Sequence, residues 1–427
     1  MKKMKMLIRS SLLRSSGIYT AANLLNAAIP FFMLPILTRY LTPTDYGIVA
    51  MFTAMIGFFT PVIGINIHGA INRQYFERDQ IDLPKYIGNA FLLLFTSFLI
   101  VSLFVWLISN PLASLTAFPK EWLFAVLLVS LFQVINQVML VMWQVKVKPL
   151  KYGTFQVLQT SLNVGLTLFF VLILAMGWEG RIQGQLIAIC FFGLISLIIL
   201  RKDGLINFSF NKGYIRHILN FGMPLIPHTL GAVIITMSDR FFVTSMVGVS
   251  ATGVYTVGYQ LGMVIGISQD SFNKAWVPWF FGKLKKNEEK DKVTIIKITY
   301  MYFVIILILA LVFGFLSPIL LPYLLGEEFR SAGQFIIWIA LGFAFNGMYK
   351  MVTNYIFFLQ KTKYLMILTF VTAVINLVLN YFLINEFGAI GAAMATCIAF
   401  LIIFIFTWII ASKLYKMPWN IIKLFKK

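Results

Sequence analysis

Acid is scarce in this chain. Asp and Glu supply 15 of 427 residues against 35 Lys and Arg, and there are only three histidines and two cysteines. His68, His217 and His228 have no partner at catalytic spacing, which argues against a His-carboxylate centre for hydrolysis or group transfer. Cys190 and Cys397 each sit in an apolar block; they suggest neither a disulfide framework nor a metal site and read as small core residues. Long polar segments are missing as well. The longest basic connections, at 201–217 and 282–296, are too short for a domain, so function is expected within the apolar body. Charged residues make up 12% of the chain, where a soluble domain carries about 25%.

What is present is long apolar blocks, such as "YMYFVIILILALVFGFLSPILLPYLL" at 300–325 and "GAAMATCIAFLIIFIFTWII" at 391–410. Each is long enough for a helix to cross the roughly 30 Å hydrocarbon core. No segment shows the alternation of an outer-membrane barrel strand. The pattern predicts an all-α integral membrane protein of about twelve transmembrane helices. They are expected near 15–40, 46–70, 86–109, 121–144, 153–177 and 182–201, then 222–246, 253–281, 297–324, 332–358, 364–385 and 389–412. The basic start "MKKMKMLIRSSLLRSSGIY" leads into the first span, read as an uncleaved helix rather than a signal peptide. Of the 35 basic residues, 28 fall in the two tails and every second connection, while Arg39, Lys120, Arg181 and Arg330 fall on the other side. The positive-inside rule then predicts a multi-pass protein of the cytoplasmic membrane with both termini in the cytoplasm. Because the basic residues are scattered, the net charge of +20 reads as topology, with contact to membrane lipid headgroups secondary and no nucleic-acid partner.

Two halves, 1–210 and 211–427, are predicted to form six-helix bundles related by a pseudo-twofold repeat. "PILTRYLTPTDYGIVAMF" at 35–52 aligns with "FFVTSMVGVSATGVYTVG" at 241–258, matching Gly47 to Gly253. Polarity follows the same scheme. Tyr19, Asn23 and Asn26 share one helix face, as do Gln156, Thr160 and Asn163, Asn346, Lys350 and Asn354, and Thr372, Asn376 and Asn380. In each half the third and sixth helices lack such a stripe. Polar stripes avoid lipid, which predicts a hydrated central cavity lined by Asn23, Asn26, Asn376 and Asn380.

Five charges remain inside spans: Asp239, Arg240, Asp270, Lys274 and Lys350. Asp239 and Arg240 stand about 100° apart on a helix and need not pair. Asp270 and Lys274, four residues apart, are expected to form an ion pair. Three cations against two acids leave one positive charge, with Arg73 and Arg39 adding to it at helix ends. A buried excess of cation implies an anion that comes and goes, and Arg240 is the expected ligand for it.

"NLLNAAIPFFMLPILTRYLTPTDYG" at 23–47, "FGMPLIPHTLGAVIITMSDRFFVTSMVGVSATGVY" at 221–255, "FNKAWVPWFF" at 272–281 and "FGAIGAAMATCIAF" at 387–400 resemble the helix signatures of bacterial lipid-linked oligosaccharide flippases. These form the polysaccharide-exporter branch of the superfamily that also holds multidrug and toxin extruders. The resemblance covers nearly the whole chain. It implies two bundles around a cationic central cavity that alternates between inward-open and outward-open states. It also implies a substrate: a sugar repeat unit on a polyprenyl diphosphate, for O-antigen or capsule assembly. A polysaccharide polymerase and a chain-length regulator would be its partners. The family's cationic lining carries over onto Arg240, Lys274 and Lys350, with Arg73 and Arg39 at the edge. No cofactor is implied beyond a coupling proton or sodium ion, for which Asp239 and Asp270 are the candidates. Two other readings stay open: a cation-coupled drug exporter, which would want net acid in its cavity, and a membrane-bound polymerase or ligase, which would want a large outer loop or a catalytic cluster.

Overall fold

The computed structural model describes residues 25–26, 29, 31–359, 361 and 363–419. Among them the chain is almost entirely helical and contains no strand. Helix α1 runs over 31–40. It is followed by α2 (Pro43–Gly64), α3 (Ile67–Gln74), α4 (Leu83–Leu107), α5 (Ser109–Thr116), α6 (Leu123–Val145), α7 (Pro149–Leu168), α8 (Gly177–Lys202) and α9 (Lys212–Gly222). Then come α10 (Leu225–Met246), α11 (Val249–Gly262), α12 (Val264–Lys286), α13 (Glu289–Leu324), α14 (Gly333–Phe358), α15 (Lys363–Phe387) and α16 (Ala389–Leu414). Ten helical segments among the described residues are long and apolar enough to cross a membrane. Two of the twelve expected spans account for the difference. The span at 15–40 lies mostly outside the described residues, and the one at 253–281 is divided at Met263 into α11 and the more polar α12.

Local chemistry explains the boundaries. Thr42 caps α2: its hydroxyl accepts from the Asp45 amide while the Asp45 carboxylate accepts from the Thr42 amide, with Pro43 in the first turn. Asp82 caps α4 and Asn211 caps α9. Gly248, at φ 128°, makes the turn into α11 in a conformation that L side chains rarely adopt.

The chain forms two compact units, one up to Leu230 and one from Gly231. In the first unit α6 packs against α2 and α8, and α7 lies along α8. The connection after α8 is fastened to α4. The Asn89 side chain is fully buried; its Nδ2 donates to the Ser209 carbonyl at 2.8 Å and its Oδ1 accepts from the Asn211 amide at 2.8 Å. Gly88 makes room for this strap, since a Cβ there would stand 1.9 Å from the Asn207 carbonyl oxygen. Gly88→Ala must push the strap away and is expected to cost about 1–3 kcal/mol, as overpacking usually does. A melting curve of the purified variant matching the parent would refute this.

The expected span at 46–70 is broken. Ile65 and Asn66 take left-handed φ values of 43° and 51° between α2 and α3; Ile65 stands four residues after Pro61, which removes a helical amide, and one after Gly64. A β-branched residue in this region is an outlier that costs roughly 1–3 kcal/mol and persists only where its surroundings hold it. The α9–α10 segment bends at 223–224, next to Pro224.

In the second unit α14 is the central helix, packed against α11, α12, α13 and α16. Its Ile336, Ile339, Ala340, Ala344, Val352 and Ile356 have no exposed surface. By contrast α13 exposes Val304, Ile305, Ile308, Leu309 and Phe315, an apolar row suited to lipid. Close approach rests on small residues: a Cβ on Gly391 of α16 would lie 2.0 Å from the Leu383 carbonyl of α15.

Candidate functional site

The charges expected within spans of the second unit form two groups, and the structure redistributes their partners. In the first group Arg240 and Asp239 pair with each other. The Arg240 Nη1 donates to Asp239 Oδ1 at 2.9 Å and to the Thr236 carbonyl at 2.9 Å. The guanidinium carbon sits 4.5 Å from the centre of the Tyr259 ring, and the Tyr255 hydroxyl donates to Asp239 Oδ2. Asp239 is 1% exposed and Arg240 7%. This corrects the expectation that the two need not pair. Their Cβ directions do diverge, but the long Arg stem folds back along α10 and closes the gap. The same geometry withdraws Arg240 from the expected role of anion ligand, because its charge is cancelled and its face is covered by an aromatic ring.

The second group lies between α12 and α14. Asp270 does not pair with Lys274 one turn on; its carboxylate takes the Lys350 ammonium from α14. An i,i+4 pair on one exposed helix gains only a few tenths of a kcal/mol, so a partner reaching across from a packed helix can displace it. Amide bonds flank the pair. Gln269 Nε2 donates to Asn346 Oδ1 at 3.0 Å, and Asn354 Nδ2 donates to Asn273 Oδ1 at 3.4 Å. Asn346, Lys350 and Asn354 recur every four residues, which puts one row on α14 against one row on α12. Lys274 stands beside this ladder, exposed, and no hydrogen bond or ion pair holds it among the described residues. Each acid of the two groups has its cation, so the one positive charge in excess is Lys274. A charged, amide-lined face is too costly to leave against hydrocarbon and suits water or a polar ligand.

The Asp270–Lys350 pair is half-open, with side-chain exposures of 54% and 29%. Pairs of this kind contribute about 0–1 kcal/mol, so Asp270→Asn should barely move the melting temperature. It frees a second ammonium beside Lys274 and is therefore expected to raise the affinity for inorganic pyrophosphate, read by calorimetry on the purified protein. Unchanged or weaker binding would contradict this view of the face.

The asparagines also require correction. Asn376 and Asn380 were expected to be wetted, yet they are 1% and 0% exposed. Asn376 Oδ1 accepts from the Ser238 hydroxyl at 3.2 Å and from Asn380 Nδ2 at 3.1 Å, so these polar groups join α10 to α15 within the unit. The interhelical one of these, from Ser238 to Asn376, is of a kind that contributes about 0.6 kcal/mol. In the first unit half-buried Asn26 accepts from the Thr160 hydroxyl at 2.8 Å. Asn23 lies outside the described residues. Arg39, at the end of α1, and Arg73, in the last turn of α3, are both exposed. The 22 residues of α2 separate them, about 33 Å of helix, so they do not share a site.

Several participants escape the sequence reading. Tyr255 and Tyr259 enclose the buried pair, and Gln269 and Asn273 complete the ladder. Arg181, assigned to the outer side, donates to Asn163 Oδ1 at 3.1 Å and to the Thr167 hydroxyl at 3.3 Å. The four-residue steps from Gln269 to Asn273 and from Tyr255 to Tyr259 were usable signals of shared faces; nothing in the sequence tied the tyrosines to Asp239 and Arg240.

Comparison with known proteins agrees with this architecture. A membrane protein of Haemophilus influenzae described as uncharacterized is 26% identical over 395 residues, covering 92% of each chain. The inward-facing structure of a multidrug resistance MATE family transporter superposes with TM-score 0.73 at 16% identity, over 92% of this chain and 94% of that one. The lipid II flippase MurJ in an inward closed conformation gives TM-score 0.73 at 16% identity, over 94% and 87%. The profile of the polysaccharide biosynthesis protein family matches residues 12–282. With that match over more than half its length and ten apolar helices in the fold of these transporters, the chain is a multi-pass membrane member of the polysaccharide biosynthesis protein family.

Proposed function

We propose that this protein is a transporter, not an enzyme, which flips a polyprenyl-diphosphate-linked oligosaccharide from the cytoplasmic to the periplasmic leaflet of the inner membrane. The repeat unit would serve O-antigen or another surface polysaccharide, with a polymerase and a chain-length regulator acting downstream. The observation that carries this reading is Lys274: an exposed, unneutralised ammonium on an amide-lined helix face. A diphosphate is the anion of such a substrate, and an ammonium meets it as a point charge while neighbouring amides donate to its oxygens. The family's link to polysaccharide biosynthesis and the fold shared with a lipid II flippase support the sugar-lipid class. A carrier of drug cations would need free acid on this face, and among the described residues the acid there, Asp270, is bound to Lys350. Asp270 is then the group through which a proton or sodium ion would couple, by competing with Lys350 for the carboxylate.

Deleting the gene tests the reading. Lipid-linked repeat units should accumulate, and they should remain accessible only from the cytoplasmic face. Unaltered surface polysaccharide with no accumulated intermediate would end this proposal.

A further inference from the structure

The break between α2 and α3 borders a cavity of about 230 Å³ inside the first unit, lined by Thr60, Pro61, Asn66, His68, Val134 and Gln137 among others. The backbone around it is locked. The Ile65 carbonyl is pressed against α9, where a Cβ on Gly222 would stand 2.0 Å from that oxygen. Asn66 starts α3 without a side-chain hydrogen bond to its first amides. Irregular backbone at membrane depth survives where it lines a cavity.

The lining has an unusual shortage. Thr60 Oγ1, His68 Nδ1 and Gln137 Oε1 are each buried with no hydrogen-bond partner. They come from three different helices and converge on one space. Buried polar atoms are almost always satisfied, and three unpartnered ones around a single cavity suit an occupant that both donates and accepts. No residue of the lining is formally charged at neutral pH, so the occupant is not an ion seeking a counter-charge. Pro61, Val134 and Ile226 add apolar lining beside the polar atoms. The volume is about that of seven or eight waters, below the size of a drug-sized ligand site.

We infer that this cavity is a subsite for one neutral sugar ring, its hydroxyls on Thr60, His68 and Gln137 and its C–H face on the apolar lining. This rests on the reading of the protein as a carrier of sugar-bearing lipid. The subsite gives that substrate a second point of recognition that is blind to the diphosphate. Water alone would satisfy the unpartnered atoms but would not need the apolar lining.

The test is saturation-transfer NMR on the purified full-length protein, with free methyl glycosides of glucose, galactose and N-acetylglucosamine. Neutral glycosides should receive saturation. Thr60→Val and Gln137→Met, each close to its parent in shape, should weaken binding about 2- to 10-fold, the effect of losing one neutral hydrogen bond. Lys274→Gln should leave the sugar signal intact while lowering affinity for pyrophosphate. Melting curves of the two cavity variants establish that they are folded. Absence of saturation for every glycoside, or equal saturation in parent and both cavity variants, overturns the subsite. Because free sugars are used, a sugar signal that persists when gene deletion leaves surface polysaccharide unaltered separates failure of the transport reading from failure of the subsite.

Discussion

Lys274→Gln is expected to cut export of lipid-linked repeat units roughly 10- to 100-fold, because a hydrogen bond to a charged group contributes about 1.5–3 kcal/mol. The protein should remain inserted and folded, since Lys274 is exposed and makes no ion pair among the described residues. Lys274→Arg keeps the charge and should keep most of the activity; Lys274→Glu places an acid beside Asp270 and should be worse than glutamine. Surface polysaccharide in a complemented deletion strain reads all three. Equal export by parent and Lys274→Gln would remove this residue from the substrate path.

Arg240 is expected to fail in a different way. Arg240→Ala strands Asp239 at 1% exposure with only the Tyr255 hydroxyl and the Arg240-position amide as partners. Breaking one side of a buried pair costs about 3–5 kcal/mol, a large share of the stability of most domains. The variant should therefore be lost from the membrane or melt well below the parent. Asp239→Ala with Arg240→Ala removes both charges and should recover most of the protein, and export along with it. If Arg240→Ala instead melts like the parent but does not export, the guanidinium acts on substrate and the structural role assigned here is wrong.

The sequence carried the helices well, because twenty apolar residues in a row can satisfy their backbone amides in hydrocarbon only as helix. The start of α2 at Pro43, three residues before the expected 46, is set by the capping chemistry of Thr42, Pro43 and Asp45, which the reading of apolar length did not use. The break at Ile65–Asn66 was not legible in the same way. Neither residue favours a left-handed conformation strongly enough to predict it, and it is held by contacts with Gly222, far along the chain. The charges show the same division. That one cation stands in excess followed from counting; which cation it is did not. Pairing depends on which helix lies opposite, and α14 brought Lys350 to Asp270 where the sequence offered Lys274. Likewise, the stripe on α15 marked Asn376 and Asn380 as facing other helices or water, and packing against Ser238 decided between the two.

The central claim is that an anionic sugar-lipid crosses the bilayer through this protein with Lys274 as its charge contact. The most direct measurement reconstitutes parent and Lys274→Gln into liposomes carrying a polyprenyl-diphosphate oligosaccharide in the outer leaflet and follows its disappearance from an impermeant sugar-oxidising reagent. The account predicts rapid protection with the parent and protection near that of protein-free liposomes with Lys274→Gln. Equal protection with both proteins, or none with the parent under any imposed proton or sodium gradient, would contradict it.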